Sequence, residues 1–528
     1  MAEAVAEPAP GAAAAEAAAD AAARRRILIV LPGLMLAMVL AMLDQMIVGT
    51  ALPRIVGDLG GVAHLSWVVT AYVLASTITT PLYGKLGDLY GRKKLLIAAV
   101  VIFLAGSALA GLSHSMAELI AFRAIQGLGA GGLMVGVIAS IGDLVSPRER
   151  GQYVGYMMAV MMLAMIAGPL VGGTITDNFS WRWIFYINLP VGGLALVYLA
   201  VVLHTPPNRV RHRIDYPGAA VLAVAATALV LLTSWGGTQY AWSSPQIISL
   251  AVIAVLSLAA FGFVERRATE PVLPLRLFSN GNFSLACLMS FLAGFAMFGA
   301  VTFLPLYQQT VQGASATNSG LLLLPMMAGA VVTSMISGQV TSRTGRYKMF
   351  PIIGGAAMAM GMYLLSLLGV GTSRTTSASY MIVLGIGMGF LMQITTLIAQ
   401  NSVEPRDMGV ASSSRTFFQM IGGSFGVSLF GAIFANRLQS TLSTRLPGMH
   451  LNSSGGQFDP RVILRMPPAI RGDVLYAIAH AIHGVFIWAA PIAGIVFVIG
   501  WLVKEVPLRG RVPGPAPATE RLEVEPVE

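Results

Sequence analysis

Residues 91–112 read GRKKLLIAAVVIFLAGSALAGL. Gly91 and three cations, Arg92, Lys93 and Lys94, are followed by eighteen residues, 95–112, without a charge. At 1.5 Å per residue that run forms a helix of about 27 Å, close to the thickness of a hydrocarbon core. The run is continuous, whereas a barrel strand alternates apolar and polar positions, so a spanning helix is the reading. The cations mark where it meets water and headgroups.

The same pattern extends over almost the whole chain of 528 residues. Helices are expected at roughly 27–50, 65–86, 95–112, 116–141, 153–174, 183–203, 217–236, 246–264, 283–307, 319–340, 349–369, 378–400, 409–435 and 480–503. The chain is 56% hydrophobic and only 11% charged, with a mean hydropathy of +0.75. A soluble domain carries about 25% charged residues, so the fold class expected is an all-α polytopic membrane protein of about fourteen spans. A net charge of +10 would suggest nucleic acid in a soluble protein. Here the cations sit in short loops between apolar runs and set topology instead. One cysteine, Cys287, excludes an intramolecular disulfide. The Ala-rich residues 1–26 are expected to form a disordered tail. They are not a signal peptide, because Arg24–Arg26 precede a full-length span with no suitable cleavage site.

Alternate connections collect 23 of the 33 Lys and Arg, including Lys85, Arg92–Lys94, Arg148, Arg150, Arg266, Arg267, Arg343, Arg346 and Lys504. Five of the cations on the other side lie in one long loop, about 436–479, and long loops count little. Both termini are therefore expected in the cytoplasm, and the protein in the cytoplasmic membrane.

The chain also repeats itself. Gly84-x-Leu86-x-Asp88-x-x-Gly91-Arg92 returns as Gly338-x-Val340-x-Ser342-x-x-Gly345-Arg346, and Pro147-Arg148-Glu149-Arg150-Gly151 as Pro405-Arg406-Asp407-Met408-Gly409. The offsets place six helices in 27–205 and six in 271–505, with two inserted helices in 206–270 and a C-terminal tail at 506–528. Internal repeats of this kind mark secondary transporters, whose substrate path lies at the repeat interface.

With those repeats in view, the chain resembles the major facilitator superfamily. Gly84-Lys85-Leu86-Gly87-Asp88-Leu89-Tyr90-Gly91-Arg92-Lys93-Lys94 resembles its loop between helices two and three. Leu119-x-x-x-Arg123-x-x-Gln126-Gly127-x-Gly129-Ala130 resembles its proton-transfer motif on helix four. Gly155 followed by Gly168-Pro169-x-x-Gly172-Gly173 resembles its antiporter motif on helix five, with Ala164 in place of one glycine. Leu43-Asp44-Gln45-Met46-Ile47-Val48 with Ala51-Leu52-Pro53, and Trp181-Arg182-Trp183-Ile184-Phe185-Tyr186-Ile187-Asn188-Leu189-Pro190, resemble the fourteen-helix drug:proton antiporters of the EmrB/QacA type, with Met46 where threonine is usual. The resemblance covers roughly residues 27–505. It implies the major facilitator fold, two six-helix bundles plus two central helices, and proton-coupled efflux of amphipathic small molecules by alternating access. A narrow-substrate exporter of one metabolite, antibiotic, lipid or siderophore fits the same motifs.

Asp44 lies about two-thirds of the way through the first helix, where a carboxylate is costly unless protonated, paired or wetted. Burial and a nearby cation push its proton affinity in opposite directions, so a conformational change that alternates them would bind and release a proton. Arg123 enters from the other end of helix four at a matching depth and is the expected partner; the resemblance assigns it to proton coupling. Ser115-x-x-Glu118 has capping-box spacing, which makes Glu118 a cap. By resemblance Asp88, Arg92 and Arg150, with Gly84 and Gly91, form the cytoplasmic gate, and Asp143 is placed to pair with Arg92. Ser342 replaces the aspartate in the second copy, so the gate is expected to be asymmetric. The small residues from Ala164 to Gly173 allow close helix packing. Tyr72, Gln126, Tyr307, Gln308 and Gln393 are candidate substrate contacts, and equally candidates for bridging helices. Arg415 either snorkels or gates. There is no nucleotide loop, nucleophile triad or metal-spaced His/Cys set; His480 and His483 have no evident third ligand. Neither an enzyme nor an ATP-driven pump is expected. The partners expected are the lipid bilayer, protons and a small-molecule substrate, with no nucleic acid, no metal, no cofactor beyond the proton gradient, and a monomer as the working unit.

Overall fold

The computed structural model describes residues 10–59, 65–145, 150–203, 215–237, 239–314, 316–446 and 466–508. In the N-terminal half the helices are α1 (Pro10–Leu59), α2 (Leu65–Tyr90), α3 (Arg92–Gly111), α4 (Met116–Leu144), α5 (Arg150–Asn178), α6 (Trp183–Tyr186) and α7 (Asn188–Val202). Next come α8 (Tyr216–Trp235) and α9 (Pro245–Glu265). The C-terminal half contains α10 (Gly281–Thr310), α11 (Ala316–Leu321), α12 (Leu324–Thr344), α13 (Met349–Ser366), α14 (Arg374–Asn401), α15 (Met408–Arg445) and α16 (Pro468–Leu502). The short α6 and α11 each lead into the following helix, so every expected segment coincides with a helical pass. Twelve passes are long and apolar enough to cross a membrane by length and composition among the described residues. The helices α2 and α5 are 26 and 29 residues long and stand outside that count.

Two boundaries depart from the sequence reading. Helix α1 begins at Pro10, so residues 10–26 are not the structureless tail expected of them. Alanine has the highest helix propensity of any residue, and this Ala-rich stretch continues the first span without a break. The long loop expected over 436–479 is shorter too. Helix α15 continues to Arg445 and α16 starts at Pro468, its proline at a position that needs no N–H bond. Residues 447–465 lie outside the described residues, as do 1–9, 204–214 and 509–528.

Local chemistry fixes several helix starts. Ser115, Asp215, Ser244, Asn280 and Ser373 each accept a hydrogen bond from a backbone N–H of the first turn. Glu118 completes the α4 cap by accepting from the His114 N–H at 2.8 Å. Gly91, with φ of 93°, makes the turn between α2 and α3 in a region that side chains disfavour.

Helix α4 packs between α2 and α3, and α1 packs on α5 and α7. In the C-terminal half, α14 packs between α12 and α13, α13 packs on α16, and α10 packs on α15. Small residues allow this where no hydrophobic drive exists between helices in lipid. A Cβ on Gly127 or Gly131 would strike the α2 backbone at Tyr72 or Ser76, and one on Gly129 would strike α3 at Ala99 and Phe103. The halves meet through α5 with α12 and through α15 with α2 and α4. Helices α8 and α9 pair with each other, and α8 touches both α2 and α15. Helix α9 presents Ile248, Val252, Val255 and Leu256 outward, as expected of a lipid-facing surface.

Candidate functional site

Two polar constructions stand out in this apolar molecule. The first lies inside the N-terminal half, where α1, α2, α4 and α7 converge. Asp44 of α1 is completely buried and Arg123 of α4 is 1% exposed. Arg123 Nη1 donates to Asp44 Oδ2 at 2.6 Å and to Gln126 Oε1 at 2.8 Å. Gln126 Nε2 in turn donates to Asp44 Oδ1 at 2.8 Å, closing a ring of three side chains. Asn188, two residues before the proline of the Trp181–Pro190 segment, donates to the same Oδ1 at 2.8 Å and to Ser107 Oγ at 2.9 Å. Ser107 Oγ in turn donates a hydrogen bond to the Phe185 carbonyl at 2.8 Å.

The guanidinium is held as closely as the carboxylate. Its Nε donates to the Val68 carbonyl at 3.3 Å, and its plane lies 4.2 Å from the centroid of the Tyr72 ring. A buried ion pair survives only when further hydrogen bonds satisfy its remaining lone pairs and protons, since desolvation costs several kcal/mol per ion. Asp44 accepts from three such donors, Arg123, Gln126 and Asn188. Protonation would remove the charge that Arg123, Gln126 and Asn188 are gathered around.

The second construction lies at the end of the helices where the basic loops cluster, called here the basic end. Arg92 forks between two carboxylates: its Nε donates to Asp143 at 2.9 Å and its Nη2 pairs with Asp88. Asp88 also crosses between the halves. Its Oδ1 accepts from Gly409 N at 3.0 Å and its Oδ2 from Val410 N at 2.8 Å. These are first-turn N–H groups of α15, which have no partner within their own helix, at the end where a helix carries partial positive charge. A carboxylate of α2 therefore caps a helix of the other half. The crossing is tight: a Cβ on Gly84 would land on the Ser413 hydroxyl and the Gly409 carbonyl. Asp407 terminates α15 alongside, paired with Arg276 at 2.7 Å. In the second copy of the motif, the Ser342 hydroxyl donates to the Gln339 carbonyl of its own helix at 3.1 Å. Among the described residues it makes no link to α5.

The remaining sequence candidates fall into place unevenly. Tyr72 and Gln126 belong to the charge cluster; the Tyr72 hydroxyl is spent on the Ala41 carbonyl at 3.4 Å. Tyr307 ties α10 to the turn after α13 through the Gly369 carbonyl at 2.8 Å, and Gln393 accepts from Ser337 of α12. Gln308 bonds Met381 Sδ at 3.6 Å and leaves its Oε1 without a partner. A Cβ on Gly168 would strike Met46, so this glycine sets the approach of α5 to α1. Gly172 is buried, with its carbonyl accepting from Thr176 at 2.7 Å, whereas Gly173 faces open space. The side chains of Arg150 and Pro169 lie outside the described residues.

The family profile for the Major Facilitator Superfamily matches residues 34–427. The chain belongs to the major facilitator superfamily. The multidrug transporter protein MdtP of Bacillus subtilis is 41% identical over 418 residues, which are 79% of this chain and 77% of that protein. Multidrug resistance protein 3 of the same organism is 36% identical over 467 residues, 87% of this chain and 91% of its own. Among solved structures, the proton:xylose symporter XylE superimposes with a TM-score of 0.60 at 14% identity, covering 91% of this chain and 97% of that one. That likeness shows the major facilitator fold.

Two members of the buried cluster in this transporter, Asn188 and Ser107, carry no pattern of their own in the sequence. Each is a single polar residue in an apolar run. Asn188 stands inside the quoted Trp181–Pro190 segment, and that segment's polar residues were the available signal. Trp181 Nε1 donates to Asp58 at 2.8 Å and Arg182 donates to the Ser113 carbonyl at 3.0 Å. Those bonds dock α6 and deliver Asn188 to the site.

Proposed function

We propose that this transporter is a drug:H+ antiporter of the cytoplasmic membrane, exporting amphipathic small molecules in exchange for protons by alternating access. The observation that carries the reading is Asp44: a fully buried carboxylate whose partners are one cation and two amides from three other places in the chain. A proton arriving from outside neutralises Asp44 and releases Arg123, Gln126 and Asn188 to new partners. The rearrangement changes how α1, α4 and α7 sit together, and α4 touches α15 of the other half. The names of the bacillus relatives, a multidrug transporter and a multidrug resistance protein, support a broad cargo.

The basic end is the cytoplasmic end in this reading, with both termini inside. The Asp88 cap on α15 then holds the cytoplasmic side shut, and the described state is the one closed to the cytoplasm. The energy source is the proton gradient, with no ATP and no cofactor, and one chain is the working unit. The test is transport in proteoliposomes with an imposed pH gradient. An amphipathic dye should move against protons, and dissipating the gradient should stop it. Dye movement indifferent to the gradient would contradict proton coupling.

A further inference from the structure

Three buried charge clusters among the described residues come with counter-charges: Asp44 with Arg123, Arg92 with Asp88 and Asp143, Asp407 with Arg276. Arg415 does not follow that rule. It is 4% exposed, lies seven residues into α15, and pairs with no carboxylate among the described residues. Its Nε donates to Thr395 Oγ1 at 3.2 Å and its Nη2 reaches the Met392 carbonyl at 3.5 Å, both on α14. Nη1 donates to no described residue. A guanidinium has five N–H donors, so most of its hydrogen-bonding capacity is unused. One turn further along the same face stands Gln419, 7% exposed, whose amide makes no hydrogen bond among the described residues. The spans α10 to α14 contain no Asp or Glu that could serve as partner.

We propose that Arg415 is a specificity-determining residue that binds the anionic group of the cargo, a carboxylate on an amphipathic organic acid or zwitterion. This rests on the exporter reading and names a substrate class for it. An unpaired charge within a membrane protein is costly, and it marks a substrate or ion pathway when its partner is absent from the chain. A planar fork with unused donors matches a carboxylate in two parallel hydrogen bonds, and Gln419 adds an amide donor beside it. Its position suits loading from the basic end. Arg415 lies roughly 8–9 Å along α15 from Gly409 and Val410, which Asp88 caps. Release of that cap moves α15 from α2 and exposes the guanidinium to cargo. The C-terminal half then supplies the charge that selects cargo, and the N-terminal half the carboxylate that carries the proton.

The experiment uses the full chain in liposomes of phosphatidylcholine in methanesulfonate medium, which removes anionic lipid and other carboxylates as competing anions. Proton-driven transport of fluorescein, a dye carboxylate, is compared with that of ethidium, a dye cation. Arg415→Met should raise KM for fluorescein about tenfold or more, the size of one lost charge-assisted hydrogen bond, and leave ethidium within about twofold. Arg415→Lys, which keeps the charge without the fork, should fall between wild type and Arg415→Met for fluorescein alone. If Arg415→Met is not recovered folded, Arg415→Lys decides by the same comparison. Equal loss of both dyes would make Arg415 a structural brace and overturn the inference. Wild type that moves ethidium but not fluorescein would overturn it too, leaving the exporter reading intact. Wild type that moves neither dye contradicts the broad-cargo exporter reading, and this inference with it.

Discussion

Asn188 and Ser107 form a relay that ends on Asp44: Ser107 is anchored on the Phe185 carbonyl, Asn188 on Ser107, and the carboxylate on Asn188. Residues in one hydrogen-bonded chain do not act independently. Asn188→Ala should cost about 1.5–3 kcal/mol, the usual worth of a hydrogen bond to a charged group, read as a lower thermal midpoint in detergent. Adding Ser107→Ala to that variant should cost little more, because Ser107 acts through the amide already removed. Strict additivity of the two losses would show that the relay does not operate. The core of this site was legible beforehand because charge in an apolar span is rare: Asp44 and Arg123 could be matched by depth alone. Asn188 and Ser107 were not, since a single amide or hydroxyl in an apolar run has many local uses and its partner lies 81 residues away in the chain.

At the scale of helices, the informative contact is α2 against α15. Asp88 caps α15 across the interface, and Gly84 permits the two backbones to touch. Asp88→Asn removes the charge that faces the helix start, a loss of about 1–2 kcal/mol, which corresponds to roughly a tenfold shift in population. Gly84→Val acts on the same interface by collision and should push in the same direction. Both effects can be read by thiol labelling of Ser412→Cys in a Cys287→Ala background, since Ser412 is 1% exposed in the closed arrangement. Faster labelling in both variants is expected; unchanged labelling would mean that the cap does not hold this end shut. The loop motif pointed to Asp88 and Arg92 by resemblance, and its place at the inner end of helix four pointed to Asp143. The acceptor site, backbone N–H groups of a helix 321 residues further on, has no side-chain signature to read. Helix ends were the least legible feature for a related reason. The sequence marks where apolar residues stop, but Pro10–Arg26 continues as helix on propensity, and Asn436–Arg445 on the packing of Leu438 and Leu442, beyond the apolar run.

At the basic end the C-terminal half has ties of its own besides the Asp88 cap on α15, the latch between the halves. The segment after α16 lies against the C-terminal half. Asn282 of α10 exchanges two hydrogen bonds with Lys504, at 2.8 and 3.0 Å. Glu505 accepts from Tyr347 N at 3.1 Å, and the Tyr347 hydroxyl accepts from Val506 N at 2.9 Å. Asn282→Ala strands the Lys504 backbone and should cost about 1–3 kcal/mol, lowering the unfolding midpoint by a few degrees without changing proton coupling. A change in coupling would instead place this segment within the transport cycle. The general plan of a dozen or more spanning helices was legible because hydrocarbon imposes one solution on the backbone, the helix, and one length on each span. How the inserted pair sits was not. The sequence placed α8 and α9 between the halves, and only their packing shows that α8 bridges α2 and α15, the two helices joined by the latch.

The central claim is that Asp44 carries the coupling proton. Its most direct test compares wild type with Asp44→Asn in proteoliposomes, following dye movement and internal pH together. The amide keeps the shape of the carboxylate but cannot take up a proton and carries no charge for Arg123. The account predicts that Asp44→Asn loses gradient-driven dye movement and the opposing proton flux together, while folded protein is recovered. Coupled transport that persists in Asp44→Asn would place the proton on another group and contradict the account.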